Sequence, residues 1–173
     1  VMSRLINVRV KLQKARLFTK QYHRHSDPLK RHMFTIGAVT AGSNRFEGIV
    51  TIDRASSAWS KHDFIVEIRR LVTRPDAHAN TASFLLGKAK QACFAMGYDL
   101  IITYTKGYES GASLKAAGFF ADKFTGRAFK NGTVETLIRW GCLRDTVPGD
   151  VEREQTIDMI EAAHEFIYQN RHL

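Results

Sequence analysis

Three groups of side chains are of types that move protons. The first is Glu67, inside the apolar run IVEIRRLVT. Read as a strand, alternation puts Ile65, Glu67 and Arg69 on one face and Phe64, Val66 and Ile68 on the other. A carboxylate held there can accept a proton, directly or through water. The competing reading is a solvent-facing Glu paired with Arg69. The second group is His23, His25 and His32, which titrate near neutrality and so suit a base or a substrate contact. His-x-His also invites a metal, but no cysteine or carboxylate set accompanies it, and no metal is expected. Tyr22 and Arg24 beside them suit stacking on, or pairing with, a nucleotide, and Lys30 and Arg31 add charge. Tyr22 reads equally as the buried end of a helical stripe. Asp53 closes a strand on the same presumptive substrate side. The third group is Tyr104, a proton donor or a core ring on one strand face with Leu100 and Ile102.

A second set of residues suits an anion. A helix expected from Thr81 to Met96 starts at Asn80 or Thr81, either of which can cap it, and a helix start offers N–H groups to a phosphate. Arg69, Arg70, Arg74 and Lys106 stand near two strand ends, and Ala77, Ala79 and Ala82 leave the approach open. Ser110 and Ser113 open a short helix over Gly111–Ala117, where one can serve as its cap.

These residues need a scaffold, and hydrophobic periodicity supplies one. Strands are expected over 4–10, 33–40, 46–52, 62–73 and 100–105, and a helix over 11–22. Ala41-Gly42-Ser43-Asn44 makes one hairpin turn and Asn131-Gly132 another, between strands 119–129 and 134–140. A short helix is expected within 56–61, and an acidic amphipathic helix over 151–170. The result is an α/β fold: a mixed, twisted sheet flanked by helices, in one domain over 1–173 with its core at about 32–140. In strand–helix–strand order, ligands collect at the carboxyl ends of parallel strands, here Thr73 and Thr105.

With 173 residues and a net charge of +9, the chain can bury a substantial core while keeping a basic surface. Residues 1–31 hold nine Lys or Arg and one acid, whereas 143–173 hold three basic and seven acidic residues. A basic end suits a polyanion, either nucleic acid or a nucleotide cofactor, or simply a solvated face. No apolar run approaches the ~18 residues needed to span a membrane, so no membrane partner and a cytoplasmic location are expected. Cys93 and Cys142 lack metal spacing and read as buried thiols.

EIRRLVT, a short loop, NTASFLLGKAKQACFAMGYDLIITYT and ESGASLKAAGF together resemble the acyl-CoA-binding core of the GNAT superfamily. With YHRHSDPLKRHMFTIGAV, the resemblance is nearest a phage-associated branch related to the Mom DNA-modification proteins. It implies acetyl-CoA or another acyl-CoA as cofactor. The pantetheine arm would bond backbone near Leu71, Val72 and Thr73, between strands that splay apart. The pyrophosphate would lie on Arg74 to Ala82, and the Ser110–Ala117 helix would flank the other side. Two positions depart from the family: RPDAHANTA has no glycine, and Leu114 replaces a tyrosine acid, so that either Tyr104 or Tyr108 would substitute or the thiolate would leave unprotonated. The implied function is acyl transfer to an amine, with a base in double-stranded phage DNA as the acceptor and the basic N-terminal region as its contact. A protein or small-molecule amine, or a non-catalytic DNA- or protein-binding module, are the alternatives. A homodimer is compatible with all three.

Overall fold

Apolar alternation and turn chemistry organise the first hundred residues into a meander. A computed structural model describes residues 4–23, 29–56 and 63–144. Arg24, His25, the expected short helix within 56–61 and the expected acidic helix over 151–170 lie wholly or mostly outside these residues. The chain divides into two compact units at Ile101/Ile102.

In the first unit, β1 (Leu5–Val10), β2 (Phe34–Thr40), β3 (Arg45–Arg54) and β4 (Ile65–Thr73) pair in sequence order, each antiparallel to the next. The turn between β2 and β3 takes positive φ at Gly42 (+88°) and Asn44 (+53°). The strand expected from residue 62 begins at Ile65, because Asp63 and Phe64 form a turn whose Phe64 carbonyl accepts from the Asp99 and Leu100 N–H groups. The helix α1 (Leu12–Tyr22) covers one sheet face, with Ala15 and Phe18 packed on Val10, Ile49 and Val72. Phe18 meets Phe46 edge-on at 5.2 Å. Gly37 permits that ring: a Cβ there would lie 2.7 Å from Phe46 Cζ.

The helix α2 (Thr81–Ala95) covers the opposite face. Leu85 reaches Gly48, where a Cβ would lie 3.1 Å from its Cδ1 and 2.8 Å from the Val72 carbonyl. Leu85, Leu86, Ala89 and Cys93 have no exposed surface. Each such large aliphatic side chain contributes about 1.5–3 kcal/mol over leaving it in water. Burial also pushes the Cys93 thiol up to about 12, so it stays protonated and packs as an apolar group.

Two β-bulges interrupt the meander. Ala38 pairs with Gly48 but Val39 with Phe46, so Glu47 is an extra residue in β3. Thr51 pairs with Arg70 but Ile52 with Ile68, so Arg69 is an extra residue in β4. The second bulge places Arg70 on the face of Glu67 and carries Leu71 to the other.

The second unit holds most of β5 (Leu100–Lys106), then α3 (Ala112–Ala116), β6 (Phe120–Ala128) and β7 (Val134–Leu143). β6 and β7 form the expected hairpin. Its turn is fixed by Asn131 Oδ1, which accepts from the Thr133 N–H and hydroxyl, and by Gly132 at φ +82°. Trp140 is fully buried and donates its Nε1–H to Thr105 Oγ1 at 2.8 Å. Gly111 starts α3 at φ +64° directly on that indole, where a Cβ would lie 2.2 Å from Cζ2. Among the described residues, no helix is long and apolar enough to cross a membrane.

Candidate functional site

The carboxyl end of β4 leads through residues 74–80 into α2. Leu71, Val72 and Thr73 lie at this end, with Val72 in the core under α1. Asn80 holds the N-cap position at φ +66°, yet its side chain makes no cap bond. The Thr81 hydroxyl does not cap either; it donates back to the His78 carbonyl at 2.6 Å. The expectation that Asn80 or Thr81 caps the helix with its side chain is therefore corrected. Asn80 is left-handed where a side-chain cap takes an extended backbone, and the Thr81 hydroxyl is already committed. Among the described residues, the N–H groups of Ala82 and Ser83 have no acceptor. They point along the positive end of a fifteen-residue helix, which is what an anion requires.

The loop's alanines are no obstacle. Ala77 and Ala79 have negative φ, and the positive φ falls on Asn80, a residue type that tolerates it. The arginine charge is a different matter. Arg74 Nε donates to Asp76 Oδ1 at 3.2 Å, and Arg45 Nη2 sits 2.6 Å from Asp76 Oδ2. The Arg74 hydrogen bond holds the Asp76 carboxyl below the usual carboxylate range. Both guanidiniums thus already face a carboxylate, though each keeps further N–H groups, and the backbone N–H groups add donors for a phosphate. Arg74 also lies 5.5 Å over the Tyr22 ring. Tyr22 accordingly ends the α1 stripe, packed on Phe18 at 4.7 Å, and borders this loop.

The acid–base candidates lie on the α1 side of the same sheet. Glu67 is buried, and Oε2 accepts from the Ser56 N–H (3.0 Å), the Ser56 hydroxyl (3.2 Å) and Arg69 Nη1 (3.2 Å). The pair with Arg69 is present but the glutamate does not face solvent. Its other oxygen, Oε1, has no partner among the described residues. Asp53 stands cross-strand from Glu67, also buried, and meets the exposed Arg31 at 3.3 Å. Lys30 is exposed beside Arg31.

His32 Nδ1 lies 2.6 Å from Thr35 Oγ1, which donates onward to Thr51 Oγ1 at 3.0 Å. Burial lowers the His32 pKa, against the pull of Asp53, with Arg9 lowering it further. The neutral ring is therefore favoured in the folded state. Its stabilisation is complete above the ordinary imidazole value and declines as pH falls below it towards the lower folded value. Between pH about 8 and about 5, the wild-type melting temperature should drop further than that of His32→Asn, which does not titrate. Equal drops would show that His32 carries no such linkage.

His23 is the C-cap of α1, donating its N–H to the Thr19 carbonyl. In the second unit, Tyr104 is half-buried on β5. Leu114 is a core side chain, 6% exposed, and Tyr108 is 61% exposed. Ser110 Oγ accepts from the Ala112 N–H at 3.4 Å, at the start of α3. Ser113 lies within α3, a helix of one turn with Gly111 and Ala117 as its cap residues, which together span the expected 111–117. Lys106 is ion-paired with Glu135.

No family model matches the chain, and no curated protein matches it. Solved structures do. The ribosomal-protein-S18-alanine N-acetyltransferase of Escherichia coli aligns with a TM-score of 0.61 at 10% identity, covering 85% of this chain and 98% of that one. A Bacillus subtilis acetyltransferase in complex with CoA aligns at 0.60 and 10%, covering 82% and 99%. A Desulfovibrio desulfuricans protein assigned to the GNAT acetyltransferase family aligns at 0.60 and 15%, covering 81% and 99%. The fold is that of the GNAT acetyltransferases. Within this GNAT fold, sequence reasoning passed over Glu47. It is 1% exposed, accepts from the Thr40 hydroxyl (2.6 Å) and the His78 N–H (2.9 Å), and meets Arg45 at 3.6 Å. The signal was a lone acid in the otherwise apolar FEGIVTI.

Proposed function

We propose that the chain is an acyl-CoA-dependent acyltransferase acting on an amine. The observation that carries this reading is the uncapped start of α2 at the end of β4, with the Ala82 and Ser83 N–H groups open to a phosphate. The GNAT fold, found also in a protein solved with CoA, supports the same assignment. Ala82 and Ser83 would hold the pyrophosphate, and backbone near Leu71, Val72 and Thr73 the pantetheine arm. An acyl-CoA supplies an activated acyl group as a thioester. An amine attacks only when neutral, so a proton must leave it. Glu67 Oε1 is the acceptor for that proton, directly or through a water, while Ser56 and Arg69 hold Oε2 and keep the carboxylate oriented. Tyr104 and Tyr108 remain the candidate donors to the departing thiolate, since Leu114 has no proton to give.

DNA as the acceptor is a second reading, favoured by α1. Lys14, Arg16 and Lys20 are exposed there beside Lys11, and the helix contains no acid. Such a face suits a duplex backbone, and a base within a duplex would have to be flipped out to react. Mass spectrometry of cells expressing the chain separates the acceptors. Acylated nucleosides in their DNA would establish the DNA reading. An unchanged nucleoside profile beside an acylated protein or small amine would establish the other.

A further inference from the structure

Residues 74–80 are tied to β3 at both ends by a single residue, Glu47. Its backbone carbonyl accepts from the Arg74 N–H at 2.9 Å, where the loop leaves β4. Its side-chain Oε2 accepts from the His78 N–H at 2.9 Å, three residues before α2 begins. Its Oε1 is held by the Thr40 hydroxyl of β2 at 2.6 Å. The bulge makes this geometry, because an extra residue in β3 escapes the ladder and turns out of register with its neighbours. Arg45 closes the arrangement from outside, at 3.6 Å from Glu47 Oε1 and bonded to both the carboxylate and the carbonyl of Asp76.

We infer that Glu47 is a positioning residue for acyl-CoA, holding the 74–80 loop so that α2 presents its free N–H groups before any ligand arrives. The inference rests on the proposed phosphate site at that helix start. A carboxylate that is 1% exposed is costly unless its oxygens are matched, and here both are. The hydrogen bonds from Thr40 and the His78 N–H, with Arg45 and Arg74 nearby, hold its carboxyl below the usual range even though burial pushes the other way. A loop fixed in advance loses less freedom on binding, and that saving appears in affinity for the part of the ligand the loop touches.

Calorimetric titration of the full chain with acetyl-CoA, together with amide exchange, tests this. Glu47→Ala strands the His78 N–H and the Thr40 hydroxyl, and should weaken acetyl-CoA binding about tenfold or more. Glu47→Gln can still accept from His78 and donate to Thr40, and should stay within about threefold of wild type. Equal affinity for wild type and Glu47→Ala would overturn the inference while leaving the proposed function intact. A wild-type chain that binds no acetyl-CoA would overturn the proposed function itself. Exchange of the His78 amide in the ligand-free wild type gives a reading independent of any variant. Marked protection is expected, and exchange as fast as in an unstructured peptide would overturn the inference even if Glu47→Ala did not fold.

Discussion

Glu67→Gln should lower kcat for acyl transfer on the order of a hundredfold while leaving acetyl-CoA affinity unchanged. The substitution is nearly isosteric. The glutamine carbonyl can still accept from the Ser56 N–H and hydroxyl, which bond the glutamate at 3.0 and 3.2 Å. Arg69 loses an ionic partner, but a quarter of its side chain is exposed and water can replace it. Folding should therefore survive, and the loss should fall on the proton-accepting oxygen. A variant within twofold of wild type would show that Glu67 only anchors Ser56 to the sheet.

Ala82→Glu should weaken acetyl-CoA binding on the order of a hundredfold while raising the melting temperature. Both effects come from one charge. A carboxylate in the first turn of α2 complements the helix dipole, worth about 0.3–1 kcal/mol, and the native first turn contains no acid. The same carboxylate placed about 5 Å from a bound phosphate costs about 3 kcal/mol at an effective dielectric of about 20. Opposite signs for stability and affinity separate a phosphate site from a merely structural helix end. A variant both more stable and equally tight would remove the phosphate from this position. Calorimetry and a thermal melt on one preparation read both quantities.

Much of the scaffold was legible from local chemistry. The hairpin at Asn131-Gly132 and the end of α2 before Gly97 follow from residues that accept positive φ. The helix stripes of α1 and α2 follow from spacing. What did not read through were the bulges. An extra residue in a strand changes which side chains share a face, yet neither Glu47 nor Arg69 is a glycine or proline that would mark a bulge. Arg70 therefore joined the Glu67 face unannounced, and Glu47 became a buried link to a loop some thirty residues away. The absence of glycine from RPDAHANTA misleads in the opposite direction. It counts against a phosphate loop of the family's kind, whereas the positive φ that a glycine would take falls on Asn80. Two of the three candidate histidines have local roles that spacing does not show. His23 caps α1, while His32 bonds a threonine pair on the sheet.

The central claim is that acyl-CoA phosphates sit on the start of α2. A crystal structure of the chain soaked with CoA measures this most directly. Pyrophosphate density is expected within hydrogen-bond distance of the Ala82 and Ser83 N–H groups, with the His78 N–H still bonded to Glu47. CoA bound elsewhere, or a helix start that remains bare at saturating CoA, would contradict it.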